Sequence, residues 1–218
     1  MILGIKAVIF DMDGTILNTL QDIANAVNHT LEFYGLPTHE LSKFKRFVGN
    51  GTDIMLYRAL PEELKSDEKV AEIKPEYVKF YDAHPTDTTK PYDGIPEVLA
   101  ELKAKGIKLA VISNKIDCMV QPIAERFFGG VFDYVTGQKD GMPVKPDPGA
   151  VFDAMKTFGV TADECIFVGD SGVDAKTGSN AGMFTVGVLW GFRDEAELME
   201  NGANVVISDP KDLLKYII

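Results

Sequence analysis

Apolar residues along the chain follow two patterns that alternate. Short runs rich in β-branched and aromatic residues predict strands, and apolar residues spaced three and four positions apart predict helices. The predicted strands span residues 7–10, 108–112, 134–136, 166–168, 185–189 and 205–207. Because helical patterns separate most of these strands, the order predicts an α/β fold with an open and mostly parallel sheet.

Two of the predicted helices have clear ends. Apolar residues between positions 95 and 102 share one face, and this pattern stops before Gly106. A similar pattern over residues 151–158 stops at Gly159. Glycine often closes a helix because it adopts the left-handed backbone conformation without strain. Both segments are therefore predicted to be helices that connect strands.

The alternation is interrupted between residues 16 and 84, where every pattern is helical. The apolar positions lie in segments 23–31, 54–60, 64–73 and 77–81. The polar segment 84–91 has prolines near both ends and predicts a hinge back into the sheet. The simplest interpretation is a doubly wound, Rossmann-like core at residues 1–15 and 85–218, with an inserted all-helical cap subdomain at residues 16–84.

The composition is that of a globular protein, and its charge disfavours two classes of partner. The chain has 218 residues, of which 45% are hydrophobic, and it carries a net charge of −11 without a basic stripe. We therefore expect no nucleic-acid or membrane partner. The N-terminal segment does not resemble a signal peptide, and we expect a cytoplasmic monomer or homodimer. An anionic substrate would need a cation in its binding site.

The two cysteines give no indication of a metal site or a disulfide framework. Cys118 and Cys165 are far apart and lack the paired spacing of such sites. Both are expected to be buried apolar thiols.

Four segments place reactive groups just after predicted strands or in the loops that follow. They are 11–15 (DMDGT), 113–114 (SN), 145–146 (KP) and 169–174 (GDSGVD). Because the carboxyl ends of parallel strands share one edge of the sheet, residues distant in sequence can meet there. The four segments are therefore predicted to form one site.

The acidic residues of these segments suit phosphoryl chemistry. Asp11 and Asp13 leave the first strand together, and Gly14 allows the sharp turn that brings both towards one centre. A hard cation such as Mg²⁺ would bind there, with Asp170 or Asp174 completing its oxygen ligands. One carboxylate can attack phosphorus to form an aspartyl phosphate, while a neighbouring acid protonates the leaving oxygen and then activates water. Asp11 and Asp13 fit these two roles.

Positive charge and hydrogen-bond donors are also needed for a phosphate among several carboxylates. Lys145 is the candidate cation, and it would stabilise the group being transferred. Ser113 and the backbone amides near Asn114 can donate hydrogen bonds to phosphate oxygens. These three residues are the predicted phosphate ligands.

In this order, the four segments resemble the signature motifs of the haloacid dehalogenase superfamily, in its phosphatase branch. The resemblance covers residues 7 to about 174, and that family carries a helical cap between its first and second motifs. It implies Asp11 as nucleophile and Asp13 as general acid and base. The implied phosphate ligands are Ser113 and Lys145, and the implied Mg²⁺ ligands are Asp11, the Asp13 carbonyl and Asp170, with Asp174 close to the metal.

Segment 46–60 of the predicted cap is similar to the cap loop of bacterial phosphoglycolate phosphatases. This similarity implies a Mg²⁺-dependent phosphomonoester hydrolase that acts on a small phosphorylated metabolite, with phosphoglycolate as the expected substrate. The predicted contacts to the rest of the substrate are Arg46, Gly49, Asn50, Gly51 and Arg58. Asn18, Thr19 and Ser113 depart from the usual residues of that subfamily and loosen the substrate assignment.

Other functions share parts of this pattern. A pyrophosphatase, or a sugar-phosphate phosphatase or mutase, would use the same core motifs with a different cap. A phospho-aspartate signalling receiver also combines acidic residues, a hydroxyl group and a lysine around Mg²⁺. The receiver is disfavoured because its phosphorylated aspartate follows a middle strand and it has no helical insert.

Overall fold

The computed structural model describes residues 4–217 of the chain. Its strands are β1 (Ala7–Phe10), β2 (Leu17–Asn18), β3 (Lys90–Pro91), β4 (Lys108–Ile116), β5 (Tyr134–Gln138), β6 (Cys165–Gly169), β7 (Phe184–Val188) and β8 (Val205–Ile207). Six of them form a parallel sheet in the order β5-β4-β1-β6-β7-β8. The predicted parallel α/β fold is confirmed, and all six predicted strands occur. Strand β4 extends four residues further than predicted, to Ile116, and the other strands shift by at most two residues at an end.

Helices connect the strands and cover both faces of the sheet. They are α1 (Leu20–Phe33), α2 (Leu41–Phe47), α3 (Thr52–Ala59), α4 (Asp67–Ala83), α5 (Ile95–Ala104), α6 (Asp117–Phe128), α7 (Gly149–Phe158), α8 (Gly172–Asn180) and α9 (Glu195–Glu200), with 3-10 helices at Glu62–Leu64, Ala162–Glu164 and Pro210–Tyr216. None of the helices within residues 4–217 is long and apolar enough to cross a membrane.

The central strand β1 shows why these runs are strands in a two-sided core. All four of its residues are buried. Val8 and Phe10 pack into the cluster on one face, whereas Ala7 and Ile9 pack into the cluster on the other. Successive side chains of a strand point to opposite faces, so a continuous apolar run fits a sheet that is covered on both sides.

Helices α1 to α4 form the insert between β1 and the rest of the sheet. The predicted helices 64–73 and 77–81 are a single helix, α4, which continues through Pro75. Its buried residues Val70, Ile73, Tyr77 and Tyr81 keep one helical face, and this packing holds the helix together across the proline. Helix α4 packs mainly against α1 and α3.

Two short strands join the helical insert to the sheet. The prediction of helices only between residues 16 and 84 missed β2, which pairs antiparallel with β3. The strand was missed because two residues are too few to show an alternating pattern. As a result, the chain enters and leaves the insert side by side.

The prediction that Cys118 is buried is wrong, whereas Cys165 is buried as expected. Cys118 lies in the first turn of α6, whose buried residues are Met119, Val120, Ile123, Ala124 and Phe128. This apolar stripe faces the sheet and leaves position 118 on the outer side of the helix.

A buried carboxylate in α1 anchors the return segment from the insert. Asp22 is only 2% exposed. Its carboxylate accepts hydrogen bonds from the backbone N–H and hydroxyl groups of both Thr88 and Thr89, at distances between 2.6 and 3.1 Å. Burial alone would raise the pKa of Asp22, but these hydrogen bonds outweigh it and hold the pKa below its ordinary value.

We predict that Asp22→Asn lowers the free energy of unfolding at neutral pH by about 1–3 kcal/mol, because an amide nitrogen replaces one of the two acceptor oxygens. The pKa of the folded state lies below the value of about 3.9 for an unfolded chain, so the contribution of the carboxylate is complete above that value. It is lost as the pH falls through the lower pKa of the folded state.

Urea denaturation of wild type and variant at several pH values measures this difference. Asp82→Asn, at an exposed position of α4, is the control and should change stability by less than about 0.5 kcal/mol. A difference between wild type and Asp22→Asn that stays constant down to pH 3 would contradict the interpretation.

Candidate active site

The four predicted segments converge at the carboxyl edge of the sheet. Asp11 and Asp13 follow β1, Asp170 follows β6, Lys145 precedes α7, and Asp174 lies in the first turn of α8. Ser113 and Asn114 lie within β4, which continues to Ile116 and therefore extends further than predicted. Side chains from all these segments line one cavity of about 40 Å³, and residues of the helical insert close its other side.

Lys145 is the ion-pair partner of two acidic residues from different segments. Its ammonium donates hydrogen bonds to the carboxylates of Asp11 and Asp174, the latter at 2.7 Å. Asp11, Asp170 and Asp174 each offer an oxygen within 4.8 Å of the other two, and all three residues are buried. Three carboxylates in contact with one ammonium leave the cluster with an excess of formal negative charge.

Burial and the excess of negative charge both shift the pKa values of the acidic groups. Burial raises the pKa of Asp11 to about 7, opposed by Lys145 and reinforced by Asp174 and Asp13. Burial, together with Asp174 and Asp11, also raises the pKa of Asp170 well above its ordinary value. Burial works against the ammonium of Lys145, but the two carboxylates outweigh it and raise the pKa of the lysine.

The acidic cluster fits a hard divalent cation. Its donors are carboxylate oxygens, which Mg²⁺ and similar ions prefer, and its uncompensated charge matches that of such an ion. Asp11, Asp170 and Asp174 are the side chains that could hold it. The side chain of Asp13 lies outside this group of three, so the predicted metal contact through its backbone carbonyl stays a prediction.

Close backbone packing holds Asp170 in place. Its carboxylate accepts hydrogen bonds from the Phe192 backbone N–H at 2.7 Å and from the Thr15 hydroxyl at 3.3 Å. Gly14 and Gly191 press against the same side chain, because a Cβ atom added at either position would come within 2.4 Å of an Asp170 oxygen. The glycine of the first motif therefore makes room for an acid of the last motif.

Asp13 has its own cationic partner, Lys115. The Lys115 ammonium lies 3.4 Å from each of the two carboxylate oxygens of Asp13 and 4.4 Å from the centre of the Tyr81 ring. Lys115 is buried and lines the cavity. Sequence reasoning missed it, although its position two residues after Ser113 in a strand was a usable signal, since alternate residues share a face.

Asn114 positions the loop that carries Lys145. Its side-chain oxygen accepts a hydrogen bond from the Lys145 backbone N–H at 2.8 Å, and its amide nitrogen donates to the Lys145 and Gly49 carbonyls at 3.0 and 3.1 Å. Ser113 also lines the cavity, and its hydroxyl accepts from the Lys115 backbone N–H at 3.2 Å. The side chain of Asn114 is therefore occupied by structural hydrogen bonds.

The insert brings some of its predicted residues to the cavity and leaves others away from it. Gly49 and Gly51 line the cavity, whereas Arg46, Asn50 and Arg58 do not. The guanidinium of Arg58 donates to the backbone carbonyls of Phe47 and Arg46 at 3.0 and 3.3 Å. Arg58 therefore braces the loop that carries the glycines.

One further cation links the sheet side to the insert, and it was not identified from the sequence. Arg193 follows Phe192 and donates hydrogen bonds to the carbonyls of Val48, at 2.8 Å, and of Lys45. The sequence does not indicate this contact, because the spacing of Arg193 and Glu197, four residues apart, is typical of a surface ion pair.

We predict that Gly14→Ala is more damaging than a glycine substitution with similar backbone strain. Gly14 and Gly106 both have positive φ, at 93° and 76°, but only at Gly14 does the added Cβ collide with Asp170. Both variants should lose about 1 kcal/mol through strain, and Gly14→Ala should lose about 1–3 kcal/mol more through overpacking. Urea denaturation measures this difference, and equal losses in the two variants would contradict the proposed contact with Asp170.

Comparisons with known proteins all point to the family that the sequence motifs resemble. The family model described as haloacid dehalogenase-like hydrolase matches residues 8–188. The chain is 32% identical to a phosphoglycolate phosphatase of Aquifex aeolicus, covering 97% of this chain and 96% of the relative. It is 34% identical to a phosphoglycolate phosphatase of Pseudomonas syringae pv. tomato, covering 96% of this chain and 78% of that protein.

A solved structure supports the same relationship. A Lactobacillus delbrueckii subsp. bulgaricus protein assigned as a phosphoglycolate phosphatase superposes with a TM-score of 0.91, at 33% identity and 97% coverage of both chains. The predicted similarity to this branch of enzymes is therefore confirmed, and the receiver alternative finds no support. The chain belongs to the haloacid dehalogenase-like hydrolase family.

Proposed function

We propose that the protein is a Mg²⁺-dependent phosphomonoester hydrolase that works through an aspartyl phosphate on Asp11, with phosphoglycolate as its substrate. The observation that carries the proposal is the juxtaposition of Asp11, Asp13 and Lys145 on one cavity beside the acidic cluster. The names of the relatives support the choice of substrate.

In the first step, a carboxylate oxygen of Asp11 attacks phosphorus, and the bond from phosphorus to the ester oxygen breaks. Asp13 gives its proton to the departing oxygen, which leaves as an alcohol. Lys145 and Ser113 hold the phosphoryl oxygens during the transfer. Lys145 already contacts the attacking residue, so it is in place to bind a phosphate oxygen close to that carboxylate.

In the second step, Asp13 acts as a base. It takes a proton from a water molecule, whose oxygen attacks the phosphorus of the aspartyl phosphate. The bond from phosphorus to Asp11 breaks, and inorganic phosphate leaves with the Asp11 carboxylate restored. Two residues position Lys145 throughout. Asp174 accepts a hydrogen bond from the lysine ammonium, and Asn114 accepts one from the lysine backbone N–H.

Asp11, Asp170 and Asp174 would hold the metal ion, with the Asp13 carbonyl as a further ligand. When bound, Mg²⁺ supplies positive charge that offsets the repulsion between the carboxylates and the phosphate. The proposal thus accounts for a buried cluster whose own charges do not balance.

The size of the cavity supports a small substrate. Its volume of about 40 Å³ leaves space for only a few water molecules, since one needs roughly 10–15 Å³. We assign the catalytic core to residues 1–15 and 85–218 and the cap to residues 16–84. In this proposal the cap opens to admit substrate and closes to exclude water. A cytoplasmic location and a monomeric or homodimeric state complete the proposal.

A panel of phosphate esters assayed with and without Mg²⁺ tests the function. We expect kcat/KM for phosphoglycolate to exceed that for pyrophosphate and for hexose phosphates by about tenfold or more. Exhaustive chelation should abolish turnover, and added Mg²⁺ should restore it. A preference for pyrophosphate or a hexose phosphate would refute the substrate, and turnover without metal would refute the role of the acidic cluster.

Substitutions of the two motif aspartates test the covalent mechanism. Asp11→Asn should lower kcat by about 10³-fold or more, because an amide is not a competent nucleophile. Asp13→Asn should lower it by about 10²- to 10⁴-fold, because it removes the acid and base. Thermal unfolding checks that both variants are folded.

Mass spectrometry of rapidly quenched Asp13→Asn with substrate should detect a phosphorylated Asp11. If the aspartyl phosphate forms slowly in Asp13→Asn, failure to detect it would not distinguish the covalent mechanism from direct attack by water. The kcat of Asp11→Asn is therefore the deciding measurement. Residual activity of that variant above about one tenth of wild type would exclude the covalent route.

A further inference from the structure

Lys115 is a buried cation at the cavity that the proposed mechanism does not use. Among the described residues that line the cavity, Lys115 and Lys145 are the two with cationic side chains. Lys145 is held by Asp11 and Asp174 through short contacts. The role of Lys115 is therefore a separate question from binding of the phosphoryl group.

The contacts of Lys115 leave it able to bind a second anion. Its ammonium approaches the Asp13 carboxylate symmetrically at 3.4 Å, which is longer than the roughly 2.7–2.9 Å of a strong charge-assisted hydrogen bond. Its other close neighbour is the face of the Tyr81 ring, which attracts a cation but accepts no strong hydrogen bond. An ammonium has three N–H donors, so donors remain for a substrate oxygen.

We propose that Lys115 binds a carboxylate on the leaving part of the substrate and thereby selects small phosphomonoesters that carry this group next to the ester carbon. This inference rests on the proposed phosphatase function. It assigns recognition of the leaving group to a residue of the sheet, whereas the sequence predicts contacts from the insert, through the Gly49–Gly51 loop and Arg46 or Arg58.

The position of Asp13 determines which leaving groups fit. In the proposed reaction, the ester oxygen must reach the Asp13 carboxyl to receive its proton, and Lys115 touches that same carboxyl. A carboxylate separated from the ester oxygen by a single methylene carbon therefore lies within reach of the ammonium. A carboxylate on a longer spacer would lie further from the ester oxygen, and the insert residues Ile23, Met55 and Tyr77 that line the cavity offer it no cationic side chain.

The surroundings strengthen this recognition. Lys115 is 7% exposed and Tyr81 is fully buried, so water screens the ammonium weakly and its charge acts at close range. The nearby acidic cluster carries excess negative charge, which would repel a substrate carboxylate. A cation placed beside Asp13 offsets that repulsion where the leaving group sits.

Two substrates that differ in one group test the proposal. Phosphoglycolate carries the carboxylate, and ethyl phosphate replaces it with a methyl group. Wild-type protein should prefer phosphoglycolate by about 10- to 100-fold in kcat/KM, the range for losing a hydrogen bond to a charged group. Lys115→Met should lose most of this preference, because kcat/KM should fall about 10- to 100-fold further for phosphoglycolate than for ethyl phosphate, chiefly through a higher KM for phosphoglycolate.

Control variants distinguish binding of the substrate carboxylate by Lys115 from a purely structural role of this residue. Lys115→Arg keeps the charge and should retain part of the preference. Lys139→Met removes an exposed lysine outside the cavity and should leave both substrates unchanged. If Lys115→Met lowered kcat for both substrates equally, Lys115 would serve only to position Asp13, and the proposal would be overturned.

The wild-type measurement keeps the proposal testable even if Lys115→Met does not fold. Equal kcat/KM for phosphoglycolate and ethyl phosphate in wild-type protein would refute carboxylate recognition while leaving the phosphatase function intact. Failure to hydrolyse any phosphomonoester would refute the proposed function itself, and the inference with it.

Discussion

The site depends on one buried ammonium. Lys145 comes from a loop, yet its charge holds together Asp11 from the first motif and Asp174 from the last. Without it, the acidic cluster would be three carboxylates in a poorly solvated space, a state that proteins avoid by protonation or by binding cations. Burial raises the pKa of Asp11 by more than the lysine lowers it. The lysine also offsets only part of the formal charge of the cluster, which therefore still fits a divalent ion.

The parts of the molecule that follow from strand position could be predicted from the sequence. The continuous apolar runs of β1 and β6 indicate buried parallel strands, and the strands pair as neighbours. Because the carboxyl ends of parallel strands share one edge, the sequence predicts that Asp11 and Asp170 lie close together. The motif order then identified the family. Prediction succeeded here because a local pattern and the overall topology require the same arrangement.

Features that depend on tertiary contacts could not be predicted in this way. The position of Lys115 two residues after Ser113 indicates only which face of the strand it shares, and its burial depends on the packing of Tyr81 from α4 against it. Arg193 donates hydrogen bonds to the backbone carbonyls of Lys45 and Val48. Every residue has a backbone carbonyl, so no sequence pattern indicates which ones Arg193 contacts. Burial of Asp22 similarly depends on the threonines of a segment 66 residues away.

The antiparallel pairing of Leu17–Asn18 with Lys90–Pro91 has an evolutionary consequence. An insertion whose two ends are adjacent can be exchanged for another of different length or shape with little disturbance of the parent framework. Mutation can therefore remodel the helical part while the strand order and the acidic centre remain unchanged. If Lys115, a residue of the sheet, binds the substrate carboxylate, exchanging the insert would change the size of the metabolite that the site accepts. The negative charge that the site requires would change less readily.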